Sequence, residues 1–244
     1  MKSMLKKGLI VCAAAALAFQ GFAAEAETET EWPAGAPDPK SYGYTALMLG
    51  IATPFSLPWD FNWDVFGLGV NLGYTDDNLM YGLEVAAGAN TARNTMVGLQ
   101  ASAIFNYANR NAYGAQVALV NVCNRETLGL TVDAVGVNRQ FYGMQVDLLG
   151  AMTERNFYGL PIAGLCSAVQ EDMWGWQISG VANFARRMHG FQTAIGFNMT
   201  SDLRGAQLGL INWASTCSAG FQVGLVNIIA DNQIPFIPIL NAYF

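Results

Sequence analysis

The sequence predicts an all-β protein, and within that class a transmembrane antiparallel β-barrel of about 12 short repeat strands, with a parallel β-solenoid as the alternative. Three observations predict it. A glycine-anchored motif recurs every 14 to 16 residues. Within each copy, apolar and polar residues alternate with the period of a strand. Hydrophobic residues make up 52% of the chain and charged residues only 12%. Beyond the N-terminal segment, however, the apolar residues never run continuously long enough for a spanning helix, so the hydrophobicity is dispersed as a membrane barrel disperses it.

The repeat is clearest in Gly114-Ala-Gln-Val-Ala-Leu-Val-Asn121, Gly205-Ala-Gln-Leu-Gly-Leu-Ile-Asn212 and Gly220-Phe-Gln-Val-Gly-Leu-Val-Asn227. Aligning on the first glycine gives ten copies, at Gly82, Gly98, Gly114, Gly129, Gly143, Gly159, Gly175, Gly190, Gly205 and Gly220. A period this steady implies one structural unit per copy. Counting from that glycine, position +2 carries Glu84, Gln100, Gln116, Thr131, Gln145, Pro161, Gln177, Gln192, Gln207 and Gln222. Position +4 is small or polar, with Asp133 and Asp147 as its two acids. Positions +1 and +3 are mostly apolar, and −1 is often aromatic: Tyr81, Tyr113, Tyr142, Tyr158, Trp174. From −1 to +8 is ten residues, the length of a tilted strand crossing a bilayer.

In a barrel the odd positions face lipid and the aromatic −1 residues form interfacial girdles. The even positions then line the lumen: Glu84, Gln100, Gln116, Asp133, Gln145, Asp147, Gln177, Gln192, Gln207 and Gln222. An arginine placed on the odd face should be costly, and one on the even face mild. Were such a barrel to conduct, Asp133 and Asp147, unopposed by base, should make it cation-selective. In the solenoid the apolar face turns inward, and Asn121, Asn212 and Asn227 stack as ladders; a coil of 15 or 16 residues is tight for Phe, Trp and Leu.

The N-terminus reads as a secretory signal over residues 1–23. Lys2, Lys6 and Lys7 precede an apolar stretch from Leu9 to Phe19 and small residues around Ala23. Cleavage there removes three Lys and no acid, taking the net charge from −6 to −9. That balance argues against nucleic acid as a partner. Residues 24–40 form an acidic linker with Pro33, Pro37 and Pro39, and 41–244 the β-repeat domain. Cys123, Cys166 and Cys217 are odd in number and match no metal spacing, so they read as small buried apolar residues.

The strand count comes from ten repeats, Asp64–Tyr74 before them and Pro235–Phe244 after them, which leaves Tyr42–Ile51 outside the barrel. The closing Tyr243-Phe244 resembles the C-terminal assembly signal of outer-membrane barrels. That resemblance implies recognition by barrel-assembly machinery and contact with outer-membrane lipid. The G-x-Q-x-G-L-x-N motif, with Trp63-Asp-Val-Phe-Gly-Leu-Gly-Val-Asn71 ahead of the array, also resembles a poorly characterised family of bacterial surface-repeat outer-membrane proteins. The resemblance implies an envelope location and carries no activity.

Catalytic chemistry finds no support. The single histidine, His189, stands at a −1 position otherwise given to Tyr or Trp. No Cys/His cluster suggests zinc and no glycine segment carries a phosphate-loop lysine, so no cofactor or metal is expected. Arg110, Arg125, Arg139, Arg155 and Arg186 each sit four residues before the next glycine, which reads as solvated turns. The leading function is a porin-like passive pore for small solutes or ions, or an envelope structural element. The alternative is a secreted or surface-attached solenoid with an adhesive or binding role.

Overall fold

The computed structural model describes residues 43–52, 55–57 and 63–243. The signal segment, the acidic linker and Phe244 lie outside the described residues. The strands are β1 (Tyr44–Ala52), β2 (Phe55–Leu57), β3 (Asp64–Asn71), β4 (Tyr74–Ala86), β5 (Ala89–Ser102), β6 (Phe105–Ala108), β7 (Asn111–Val117) and β8 (Val120–Cys123). There follow β9 (Glu126–Asn138), β10 (Phe141–Thr153), β11 (Phe157–Ala163), β12 (Cys166–Ser179), β13 (Ala182–Ala194), β14 (Phe197–Leu208), β15 (Ile211–Ile229) and β16 (Phe236–Ala242).

Pairing sense decides the architecture. Every repeat strand lies parallel to the next, with glycine opposite glycine: Gly82 pairs Gly98, Gly98 pairs Gly114, and so on to Gly205 and Gly220. Antiparallel hairpins are what a barrel of short connections requires. The barrel expectation is therefore overturned. The chain is a parallel β-solenoid of about 11 coils, beginning at Gly67. Two further expectations fall with it. The segment set aside from the barrel is strand β1, paired parallel with β3. The closing segment is not a barrel strand but β16, an antiparallel edge on β15.

Each coil has two sides. The long side carries the motif glycine, as in Leu79–Ala86 stacked on Thr95–Ser102. The short side carries about four residues, as in Ala89–Ala92 stacked on Phe105–Ala108 and then Val120–Cys123. Two corners join them, one at Ala103-Ile104 and its equivalents, the other at Asn109-Arg110 and its equivalents. Backbone bonds continue through both corners: the Ile104 amide donates to Gly88 O at 3.0 Å and the Arg110 amide to Asn94 O at 3.0 Å. Corners that bond to the coil below need no long loops, which explains the uniform short connections.

The motif glycine is required by backbone conformation and by space. Gly114 sits at φ 129°, and a Cβ there would lie 2.0 Å from the carbonyl oxygen of Gly98. L-residues avoid that region, and the neighbour that would have to move is backbone. The same closeness recurs from Gly82 to Gly205, so the column fixes register from coil to coil.

Both ends of the stack are closed by antiparallel strands, β2 on β1 and β16 on β15. Pro238 in β16 lacks a donor, which suits an edge strand and blunts further pairing. In a barrel's closing strand that proline would have been a defect; at an exposed edge it is a stop.

Gly114→Ala should destabilise the protein by about 4 kcal/mol or more, through the forced backbone shift. Ala115→Val, one residue on and pointing outward, should cost about 0.5 kcal/mol or less. Denaturant unfolding of the two variants checks this; equal effects would mean the column is not under steric constraint.

Candidate functional site

The interior of each coil divides into an apolar and an amide half. The apolar half is built by position −2 of the long side and the end of the short side. Met80, Met96, Phe141, Phe157, Met173 and Met188 are all fully buried. Phe141 and Phe157 stack with ring centroids 4.7 Å apart. Buried Cys123 and Cys217 continue the apolar half, as their reading as small apolar residues expects, while Cys166 is half-buried on the short side.

The amide half contains the predicted even-face residues. Gln100, Gln116, Gln145, Gln177, Gln192, Gln207, Gln222 and Glu84 are fully buried, with Asp133 and Asp147 nearly so. The sequence groups these residues correctly on one face. They line no barrel lumen, however; they point into a filled interior where each meets its copy in the next coil. Gln116 Nε2 donates to Gln100 Oε1, and Gln100 Nε2 to Glu84 Oε2, both at 2.9 Å. In the C-terminal half Gln222 donates to Gln207 and Gln207 to Gln192, both at 2.7 Å, and Gln192 to Gln177 at 2.9 Å.

A second column faces it from the short side. Asn90 Nδ2 donates to Asn106 Oδ1, and Asn106 to Asn121, both at 3.0 Å. Asn183, Asn198, Asn212 and Asn227 repeat the pattern at 2.8 to 3.0 Å. The asparagine stacking that the solenoid alternative expects is present. Its other half, an apolar motif face turned inward, is wrong: positions −1, +1 and +3 point out.

The two columns run in opposite directions. Glutamines donate toward the N-terminal end of the stack and asparagines toward the C-terminal end, so their amide dipoles oppose. Each column ends, on its donor side, at an acceptor. In the N-terminal half these acceptors are carboxyls: Glu84 takes the last glutamine N–H, and Asp133 Oδ2 takes the last asparagine N–H, from Asn121 at 2.9 Å. In the C-terminal half they are Ser167 O and Oγ for Gln177, each at 3.0 Å, and Gly224 O for Asn227 at 2.8 Å.

Between the halves lies an interruption. Pro161 replaces glutamine at +2, and Gly136, Ala151 and Ser167 take the asparagine position in successive coils. Asp133 and Asp147 fill this gap as direct parallel partners. The antiparallel juxtaposition that the barrel would have given them is thus replaced by stacking in register. Gly136 makes the space: a Cβ there would come within 2.6 Å of Asp147 Oδ1 and 2.0 Å of Gln145 Nε2. Gln145 Nε2 donates instead to Asp147 Oδ1 at 2.9 Å.

Burial first, then the adjacent Asp133 carboxyl, push the Asp147 pKa up to about 10, and burial raises Asp133 as well. Asp133 Oδ1 and Asp147 Oδ2 meet no N–H or other donor, and one proton held between them satisfies both. Asp77 is raised in the same way, by burial and then by Glu84. Both acid pairs are buried in the filled interior, not solvated at a pore wall, so the cation-selective lumen is withdrawn with the barrel.

The outward face of the long side is the one that the solenoid alternative turns inward and the barrel reading turns to lipid. Trp176 is 49% exposed, Phe191 50% and Val117 41%; exposed Leu83 and Phe221 share the +1 column of Trp176, and exposed Phe66 stands at −1. The −1 aromatics stack along the axis: Phe66 on Tyr81 at 4.9 Å, Tyr142 on Tyr158 at 4.9 Å, Tyr158 on Trp174 at 6.4 Å. His189 continues this stack on Trp174 at 3.9 Å, with its pKa lowered by burial and then by Arg204. Among the described residues no group of His, Cys, Asp and Glu is arranged to hold a metal ion.

A filled interior in place of a wet lumen, and exposure in place of lipid, reverse the substitution pattern expected of a barrel. Gln116→Arg should cost about 3 kcal/mol or more, because it buries an unpaired charge and breaks the amide column. Val117→Arg, on the exposed face, should cost about 0.5 kcal/mol. Equilibrium unfolding of both variants decides between a packed interior and a wet lumen. A second outcome concerns pH. Asp147 keeps its proton when folded but ionises near pH 4 when unfolded. The stability from that retained proton is complete below about pH 4 and is lost as pH rises toward about 10. The melting temperature should therefore fall from pH 5 to pH 9, and Asp147→Asn should make the fall shallower; an unchanged pH profile in that variant would refute the shared-proton assignment.

No protein-family model, no curated protein and no solved structure matches this chain.

Proposed function

We propose that this chain is an exported β-solenoid of the bacterial cell envelope whose work is binding rather than catalysis, and that it binds a second copy of itself through the apolar long face. The observation that carries the reading is the size and continuity of that face. Eleven coils at about 4.8 Å each, and a strip five residues wide, give roughly 50 by 13 Å, or about 650 Å² in projection. Monomeric proteins rarely leave so large a contiguous apolar patch in water.

The area fits a second copy. Two such faces packed together would bury about 1,300 Å², within the range of specific interfaces. Flat sheet faces pack well at about 10 Å separation, and the aromatics standing along this one are the residues that anchor interfaces. The capped ends support lateral over end-to-end association, since β2 and β16 occupy the edges where another chain would add strands. Export is supported by the basic start at Lys2, Lys6 and Lys7, the apolar stretch and the small residues around Ala23. The resemblance of the G-x-Q-x-G-L-x-N motif to bacterial surface repeats points the same way.

Sedimentation equilibrium of the mature chain should show a dimer at micromolar concentration. Trp176→Glu/Phe191→Glu should be monomeric with an unchanged far-ultraviolet spectrum. A monomeric wild type, a variant that still dimerises, or a monomer that floats with phospholipid vesicles through this face would each overturn the reading.

A further inference from the structure

The corner that precedes the motif glycine carries a line of arginines. Arg125, Arg139 and Arg155 occupy three successive coils, with the Arg139 amide bonded to Cys123 O at 3.1 Å and the Arg155 amide to Arg139 O at 2.8 Å. All three side chains are exposed. Together with Glu126 and Gln140 they line a cleft of about 310 Å³.

Farther along the same edge the charges neutralise each other: Arg187 pairs with Asp172, and Arg204 with Asp202 at 3.6 Å. Arg125, Arg139 and Arg155 make no ion pair among the described residues. Glu126 is the single acid lining the cleft, so the cleft is basic on a chain whose net charge is −6. Stacking like charges at the coil pitch costs free energy, and a bound polyanion would offset that cost.

We propose that this stretch of the edge binds an acidic polysaccharide, one acidic sugar per coil. The site is linear, not convergent, so it suits an extended ligand with regularly recurring charge better than a single anion. Its repeat of about 4.8 Å is close to the length of one sugar ring in an extended chain. Each guanidinium can take a carboxylate or ester phosphate in two parallel hydrogen bonds. Neutral groups stand beside the charges to meet hydroxyls: Gln140, whose Nε2 donates to the Tyr142 hydroxyl, and Asn156, whose Oδ1 accepts from the Asp172 amide at 3.3 Å. Single-stranded nucleic acid is disfavoured, because nearby Tyr158 is stacked between Tyr142 and Trp174 and offers no free ring face to a base.

The test uses the mature chain and polygalacturonate, which carries one carboxylate on every sugar, with its methyl-esterified form and a single-stranded oligonucleotide as comparisons. Wild type should bind polygalacturonate, lose it as salt is raised, and ignore the esterified polymer. Arg125→Gln/Arg139→Gln/Arg155→Gln should weaken binding by about tenfold or more, while Arg187→Gln, taken from a paired site, should bind as wild type does. Should the triple variant fold poorly, Arg139→Gln alone and the charge-keeping Arg125→Lys/Arg139→Lys/Arg155→Lys give the same reading, the first weakened and the second intermediate. No binding by wild type, equal binding of the esterified polymer, tighter binding of the oligonucleotide, or full binding by the arginine variants would each overturn the proposal.

Discussion

Everything in this molecule depends on parallel register at a pitch of one coil. When each residue lies above its own counterpart, an interior side chain must tolerate a copy of itself about 4.8 Å away. An amide does so well, because it carries both donor and acceptor and can bond to an identical amide above and below. A row of carboxylates or ammonium groups cannot. Gln100–Gln116 and Asn90–Asn106–Asn121 are therefore structural choices, and the buried Glu84, Asp133 and Asp147 stand where a column ends or is broken. The opposed directions of the two columns keep their dipoles from adding along the stack.

Much of this was legible in the sequence. The period, the ten copies, the grouping of even positions and the stacking of Asn residues all follow from the motif. Which face lies inside does not. Alternation says that two faces differ, and hydrophobic burial is ordinarily the rule that orients them. Here the rule misleads, because the interior is narrow. Strands of seven and four residues joined by tight corners leave room for a glutamine, an asparagine, a methionine or phenylalanine, and a small residue. Trp176 and Phe191 are too large to be added to that cross-section, and they stand outside. Short connections and Pro238 suit a coil better than a barrel: the corners are bonded to the coil below, and the proline blunts an edge. The −2 column of Met80, Met96, Phe141 and Phe157 was the missed signal, since its period is as regular as that of the glycines.

The interruption at the middle of the stack shows how strictly the columns are accounted for. Losing the asparagine at Gly136 removes a donor and an acceptor, and it also removes a side chain's volume. Asp133 and Asp147 return both, at the cost of holding a proton that a solvated carboxylate would release. Thr131 in the coil before Gln145 and Pro161 in the coil after it take amides out of the glutamine column, and Gln145 turns to Asp147 while Gln177 turns to Ser167. A substitution in one column is thus answered in the other and in the neighbouring coils. Interior variation in such a fold should travel in sets.

That coupling also explains where adaptable surface can arise. Interior positions are bound to their neighbours by the ladders, and the motif glycine by its closeness to the coil below. The residues free of both constraints are the outward positions of the long side and the corners. They are also where this chain is least economical for a solitary protein in water: an apolar, aromatic strip on the long side, and Arg125, Arg139 and Arg155 at one corner, without an ion pair among the described residues. The +1 side chains of that strip are not required for the stacking of coils, since Ala115 and Ala206 occupy the same column as Trp176 and Phe191 without breaking the pairing of glycines. The physical division is consequently sharp. The inward half of each repeat specifies the rod, and the outward half is left to specify what the rod meets.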